Sequence, residues 1–184
     1  MKVNPGDQLS AITFQTIQQK TVQLADSESA FVHLQFRRFA GCPVCNLHLR
    51  TVSNRYPEIQ SLGIREVVVF HSSRAELLRY QAELPFDCIA DPDKHYYRQF
   101  GVEQSRLALL HPQAIGSAMA GMFHSKKLKR DLSGGVNGVP ADFLLNKRGI
   151  VLATHYGVHA DDQWSVDQLL ALAQQHRVQN SATA

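Results

Sequence analysis

The chain has 184 residues, 44% of them hydrophobic and 19% charged, and its 19 basic against 16 acidic side chains give a net charge of +3. That length suits one domain with a substantial core, read here as residues 1–178 with a disordered tail over 179–184. The near-balance of charge, without basic runs interleaved with aromatics, argues against a nucleic-acid partner, and no stretch has the length and apolarity of a membrane span.

In chain order, Met1 to Asp7 lacks the apolar core of a secretory signal, so a cytoplasmic location is expected. Asn4-Pro5-Gly6-Asp7 is turn chemistry ahead of two short strands, Ser10 to Ile17 and Thr21 to Leu24, joined by a hairpin turn at Gln18-Gln19-Lys20. Phe31 to Phe36 alternates Val32, Leu34 and Phe36 with His33 and Gln35, the period of a strand. After Gly41 the period becomes helical, and Pro57 is expected to end or kink that helix before a last turn closed by Gly63.

The junction between that strand and helix reads Arg37-Arg38-Phe39-Ala40-Gly41-Cys42-Pro43-Val44-Cys45. Pro43 suits the first helical position, where a missing N–H is no loss, which makes Cys42 the N-cap. A helix start presents about four unpartnered N–H groups and roughly half a positive charge, and such settings lower a cysteine pKa. Arg37 or Arg38 would act in the same direction if its side chain turned toward the sulfur. Cys42 is expected to be the more exposed and more easily ionised thiol, with Cys45 one turn inside the helix.

Further on, Glu66 to Phe70 is a continuously apolar run of the kind covered on both faces. Ser73 and Glu76 form a capping box for a helix from Arg74 to Leu84. A strand at Phe86 to Ala90 and a short helix from Asp91-Pro92-Asp93 to Phe100, stopped by Gly101, complete a β-α-β-α-β-α middle that calls for a central sheet. Leu107 to Phe123 is expected to be helical, as a lid, a subunit contact or a core helix, followed by the basic cluster Lys126 to Arg130 and a glycine-rich loop. Strands Ala141 to Asn146 and Ile150 to His155 form a hairpin through Lys147-Arg148-Gly149, and a last helix opens on a Ser165–Gln168 capping box.

A structural zinc site would need a fourth ligand from histidine, and no second CxxC or HxxxH supplies one, so neither a metal nor a cofactor is expected. Cys88 reads as a core residue, His48 as a helix-surface histidine, and His155 and His159 as remote from the cysteines.

The order of elements, the CxxC at a strand-to-helix junction and Val139-Pro140 ahead of an apolar strand together resemble the thioredoxin superfold, in which a cis-proline faces the redox cysteines. Pro5-Gly6-Asp7-Gln8-Leu9, Ala90-Asp91-Pro92-Asp93-Lys94 and Pro140-Ala141-Asp142-Phe143-Leu144-Leu145 are similar to the peroxiredoxin-like proteins of the AhpC/TSA group. Arg38 to Cys45 is similar to the branch of that group that carries a CPxC, often called peroxiredoxin-like 2. The resemblance implies an α/β, thioredoxin-like three-layer sandwich: a mixed central sheet with helices on both faces, an N-terminal β-hairpin extension and a helical insertion before the proline strand. It implies a thiol peroxidase whose catalytic pair, Cys42 and Cys45, cycles through a disulfide, with Pro43, Val139, Pro140, Arg37 and Arg38 supporting the site. A thioredoxin or glutaredoxin would serve as dithiol electron donor, and a homodimer is a further expectation.

Two departures bear on mechanism. Peroxiredoxins place a Thr or Ser three residues before their attacking cysteine, which in this chain puts Cys42 at the hydroxyl position and Cys45 at the attacking one, whereas thioredoxins attack with the first cysteine. The peroxide-holding arginine of peroxiredoxins falls where this chain has Pro140. A thioredoxin-like protein disulfide reductase is therefore the alternative within the same chemistry, and a non-catalytic thioredoxin-like binding domain the alternative outside it.

Overall fold

The computed structural model describes residues 2–9, 12–25, 28–102 and 138–182. Two short N-terminal strands, β1 (Thr13–Gln15) and β2 (Thr21–Gln23), pair antiparallel across a turn in which Gln19 takes a positive φ of 65°. The main sheet is built on β3 (Phe31–Arg37), which pairs in parallel with β4 (Ile64–Phe70) and antiparallel with β6 (Ala141–Asn146). With β5 (Asp87–Ala90) and β7 (Val151–Tyr156) at its edges, the sheet is mixed, in the order β5-β4-β3-β6-β7.

Alternation along these strands divides the core. Val32, Leu34, Phe36, Val67, Val69, Ala141, Phe143 and Leu145 face one side, under the β1–β2 hairpin and Tyr97 of helix α4 (His95–Gln99). Val68, Phe70 and Leu144 face the other, where α1 (Pro43–Asn54), α2 (Tyr56–Ser61), α3 (Arg74–Tyr80) and α5 (Val166–Ala182) contribute Leu49, Ile59, Leu77 and Leu169. This is the expected α/β, thioredoxin-like arrangement of a mixed sheet between helices. The helical insertion, Leu107 to Phe123, and the basic cluster Lys126 to Arg130 lie outside the described residues.

Local signals place the boundaries. Pro57 opens α2 rather than continuing α1, and Gly63, at φ 67°, reverses the chain into β4. Ser73 Oγ accepts from Glu76 N at 3.3 Å, and Ser165 and Gln168 close the reciprocal box at 2.8 and 3.2 Å. The Asp91 carboxylate accepts from the His95 and Tyr96 amides at 2.8 Å, and α4 starts at His95, beyond the Asp91-Pro92-Asp93 signal. Helix α5 runs to Ala182, so the tail expected from Gln179 is instead helical through that residue.

Candidate active site

Cys42 is the N-cap of α1, with extended backbone (φ −67°, ψ 117°) and Pro43 in the first turn. The chain reaches it from the carboxyl end of β3 through a turn in which Cys42 N donates to Phe39 O at 3.0 Å. Cys45, in the first turn of α1, points its sulfur back, and the Cys45 thiol donates to Cys42 Sγ at 3.1 Å; all three cysteines are free. Arg38 Nη1 donates to Cys42 Sγ at 3.3 Å. Phe39 and Val44 pack against the two sulfurs.

Burial alone would raise the pKa of Cys42, but the Cys45 thiol, the Arg38 charge and the Cys45 and Val44 N–H groups outweigh it and lower it to about 6. Cys45 goes the other way, pushed up by burial, by its donated hydrogen bond and by the anion beside it. One sulfur is thus held as thiolate and its neighbour as thiol, the protonation pattern needed for attack followed by ring closure. Cys88 is also buried, and burial pushes it up to about 12, consistent with an inert core position.

Three sequence expectations need correction. Cys42 is not the more exposed sulfur: both cysteines have 0% exposure, so the asymmetry arises from hydrogen bonding and charge. Arg37 does not reach the thiols; β3 alternation sends it to the opposite side from Phe36, toward β6 and α1. The Val139–Pro140 bond is trans, since no cis peptide occurs among the described residues.

The proline loop nevertheless borders the site. A Cβ on Gly138 would stand 3.9 Å from Arg38 Cγ and 3.2 Å from His71 Nε2. Pro140 O accepts from Gly157 N at 2.9 Å, and a Cβ on Gly157 would come within 2.3 Å of Asp162 O, so only glycine permits this approach. The loop that follows Tyr156 is therefore packed on Pro140. Val139 is buried at its start.

Beneath α1 lies a buried polar layer. Arg37 Nη2 donates to Asp142 Oδ1 at 2.5 Å and to Gln35 Oε1 at 2.6 Å, and lies 3.2 Å from His48 Nε2. His33 bridges Glu66 at 2.9 Å and Asp142 at 3.2 Å, Gln35 donates to Glu66, and Trp164 N donates to Asp142 Oδ2 at 3.2 Å. The register explains the cluster: Glu66 lies opposite His33, and Asp142 opposite Gln35, diagonal to both His33 and Arg37.

Burial disfavours the imidazolium of His33, but the Glu66 charge and the Asp142 hydrogen bond raise its pKa to about 9. Two cations therefore face two anions. His48, read from the sequence as a helix-surface histidine, is half-buried beside Arg37, and desolvation and the Arg37 charge lower its pKa to about 3. Through Arg37–Asp142 this layer ties the strand entering the cysteine turn to the strand leaving the proline loop. Tyr97 ties α4 to the sheet, its one hydroxyl hydrogen shared between Arg37 O and Val69 O.

The polar layer and Tyr97 are what sequence reasoning missed. The signal that could have exposed the layer was that a strand paired on both sides and covered by helices cannot leave His33, Gln35 and Arg37 to solvent. Among the described residues no group of three or more His, Cys, Asp or Glu side chains is placed to hold a metal ion.

The AhpC/TSA family model matches residues 5–154. No curated protein matches the chain. Among solved structures, peroxiredoxin 6 from Arenicola marina aligns with TM-score 0.73 at 10% identity, covering 97% of this chain and 75% of that one. Peroxidoxin BcpB from Mycobacterium tuberculosis aligns at 0.67 and 14% over 94% and 97%, and a DsbE-type thiol:disulfide interchange protein from Chlorobium tepidum at 0.61 and 20% over 94% and 99%. At these identities the structures share a fold with the chain.

Proposed function

Because the chain belongs to the AhpC/TSA family, we propose that it is a thiol-dependent peroxidase acting through Cys42 and Cys45. The observation that carries this reading is the cap geometry, with Arg38 Nη1 3.3 Å and the Cys45 thiol 3.1 Å from Cys42 Sγ. The Cys42 thiolate attacks one peroxide oxygen, the O–O bond breaks, and the departing alkoxide or hydroxide takes up a proton, leaving Cys42 as a sulfenic acid. The Cys45 thiol then condenses with it, forming the Cys42–Cys45 disulfide and releasing water. A dithiol donor such as thioredoxin or glutaredoxin returns two electrons and restores the pair. Arg38 offers the fixed positive charge that Pro140 cannot, beside the sulfur and beside the oxygen that leaves. A cytosolic setting, where such a pair rests reduced, belongs to the same proposal.

The alternative, protein disulfide reduction, uses the same thiolate on a different target and is favoured by the N-cap position of the first cysteine. Reduced protein mixed with hydrogen peroxide, without any donor, should consume one equivalent as the thiol pair is lost. Insulin reduction in place of peroxide consumption would favour the reductase. Neither activity, with no thiol ionised below pH 7, would leave a non-catalytic binding domain.

A further inference from the structure

The cysteine turn is gripped from outside by one neighbouring unit, the β4–α3 connection and the end of α3. Ala40, two residues before Cys42, has its N–H donated to Ser72 Oγ at 3.0 Å and its carbonyl accepting from Gln81 Nε2 at 2.8 Å. The same Gln81 amide donates its other hydrogen to Asn46 Oδ1 at 2.7 Å, on the residue that follows Cys45. Gln81 is the C-cap residue of α3 and 4% exposed, and Ser72 is 2% exposed. One buried amide thus spans the turn from the residue before its glycine to the residue after its second cysteine, while Ser72 fixes the preceding peptide plane. The Tyr80 ring closes over the same turn, where a Cβ on Gly41 would stand 3.7 Å from it.

Resting on the redox reading above, we propose that Gln81, with Ser72, is a positioning residue that sets the ionisation of Cys42 and the reach of Cys45. Both side chains act on the sulfurs through the Ala40 peptide, and Gln81 also through Asn46. Arg38 and Cys42 lie on either side of Ala40, so the Nη1–Sγ distance and the alignment of the Val44 and Cys45 N–H groups depend on the two peptide planes being held. A glutamine at a helix end is ordinary for its local structure, but a plain C-cap role would not call for both amide hydrogens to be spent on the redox turn.

The test uses the full chain in four forms: wild type, Gln81→Met, Ser72→Ala and Ser72→Thr. Two quantities are read, the pH midpoint of Cys42 alkylation and the lifetime of the mixed disulfide formed with oxidised glutathione. In that reaction Cys42 displaces one glutathione thiolate, and Cys45, losing its proton to solvent, then displaces the second and closes the ring. Gln81→Met should move the midpoint upward by about one pH unit, a roughly tenfold fall in the ratio of thiolate to thiol on the acid side. It should also lengthen the mixed-disulfide lifetime severalfold. Ser72→Ala should move both in the same direction, and Ser72→Thr, which keeps the hydroxyl, should match wild type.

A lowered melting temperature with unchanged midpoint and lifetime in both Gln81→Met and Ser72→Ala would overturn the inference, leaving only a structural role. If Gln81→Met does not fold, Ser72→Ala against Ser72→Thr decides it on the same two readouts. Failure of the redox reading looks different, because wild type itself would then show no ionised thiol and form no internal disulfide.

Discussion

Cys42→Ser will reduce peroxide and disulfide turnover to the solvent background, while Cys45→Ser will keep the first step and lose the second. The difference follows from the asymmetry between the two sulfurs. Cys42 is the one held near a pKa of about 6 by the Cys45 thiol, Arg38 and the helix start, and Cys45 is held protonated beside it. A serine at position 45 still offers a hydroxyl at the helix start but cannot close a bridge. Cys45→Ser should therefore accumulate either a Cys42 sulfenic acid, trapped by dimedone, or a stable mixed disulfide with a protein substrate, resolved by mass spectrometry. Accumulation of the same species in Cys42→Ser, and not in Cys45→Ser, would reverse the assignment.

Asp142→Asn will cost about 3–5 kcal/mol of stability, the range for removing one partner of a buried ion pair. Arg37 and Asp142 side chains have no solvent exposure, and Asp142 is also the shared acceptor of His33 and the Trp164 amide. Asparagine preserves the shape and removes the charge, so two buried cations are left facing Glu66 alone. For a domain of this size the loss corresponds to a fall in melting temperature of roughly 6–20 °C. A change below 1 kcal/mol would mean the layer is more hydrated than its burial implies.

The same layer sets a pH dependence. The folded pKa of His33 is raised from 6.5 to about 9, with burial opposing the shift and Glu66 and Asp142 overcoming it. A group held protonated by the fold contributes stability that is complete below pH 6.5 and is lost as pH rises through 9, on the order of 3 kcal/mol in total. Cys42, whose folded pKa is depressed, contributes in the opposite sense over an overlapping window, so the comparison belongs in a Cys42→Ser background. There stability should decline from pH 6.5 to 9, and Asp142→Asn should flatten the decline.

The cysteine turn was legible because its signals are local. Strand alternation ending at Arg37, the helical period after Gly41 and Pro43 at the first helical position are readable within about a dozen residues, and they place Cys42 at the cap. The same holds for the Ser73 cap, the capping box at Ser165 and the hairpin at Lys147-Arg148-Gly149. The polar layer was not legible because it is assembled from distant residues: Glu66 is 33 positions from His33, and Asp142 is 105 from Arg37. Seen alone, Val32-His33-Leu34-Gln35-Phe36-Arg37 is the pattern of a strand wet on one face, and only the pairing of β3 on both sides shows that face to be covered. The exposure of Cys42 was misjudged for a related reason, since a helix N-cap is commonly at the surface and the residues that bury it come from other elements. Arg37 and Arg38 could not be separated by adjacency in sequence, yet strand geometry sends successive side chains to opposite faces, and only Arg38, past the strand end, turns to the thiol.

The central claim is that Cys42 is ionised at neutral pH and Cys45 is not, and the rate of alkylation of the reduced protein against pH, with peptide mapping of the label, tests it most directly. Labelling should rise at Cys42 with a midpoint near pH 6, with Cys45 and Cys88 unreacted until well above pH 9. First labelling at Cys45, or no cysteine reacting below pH 7, would contradict it.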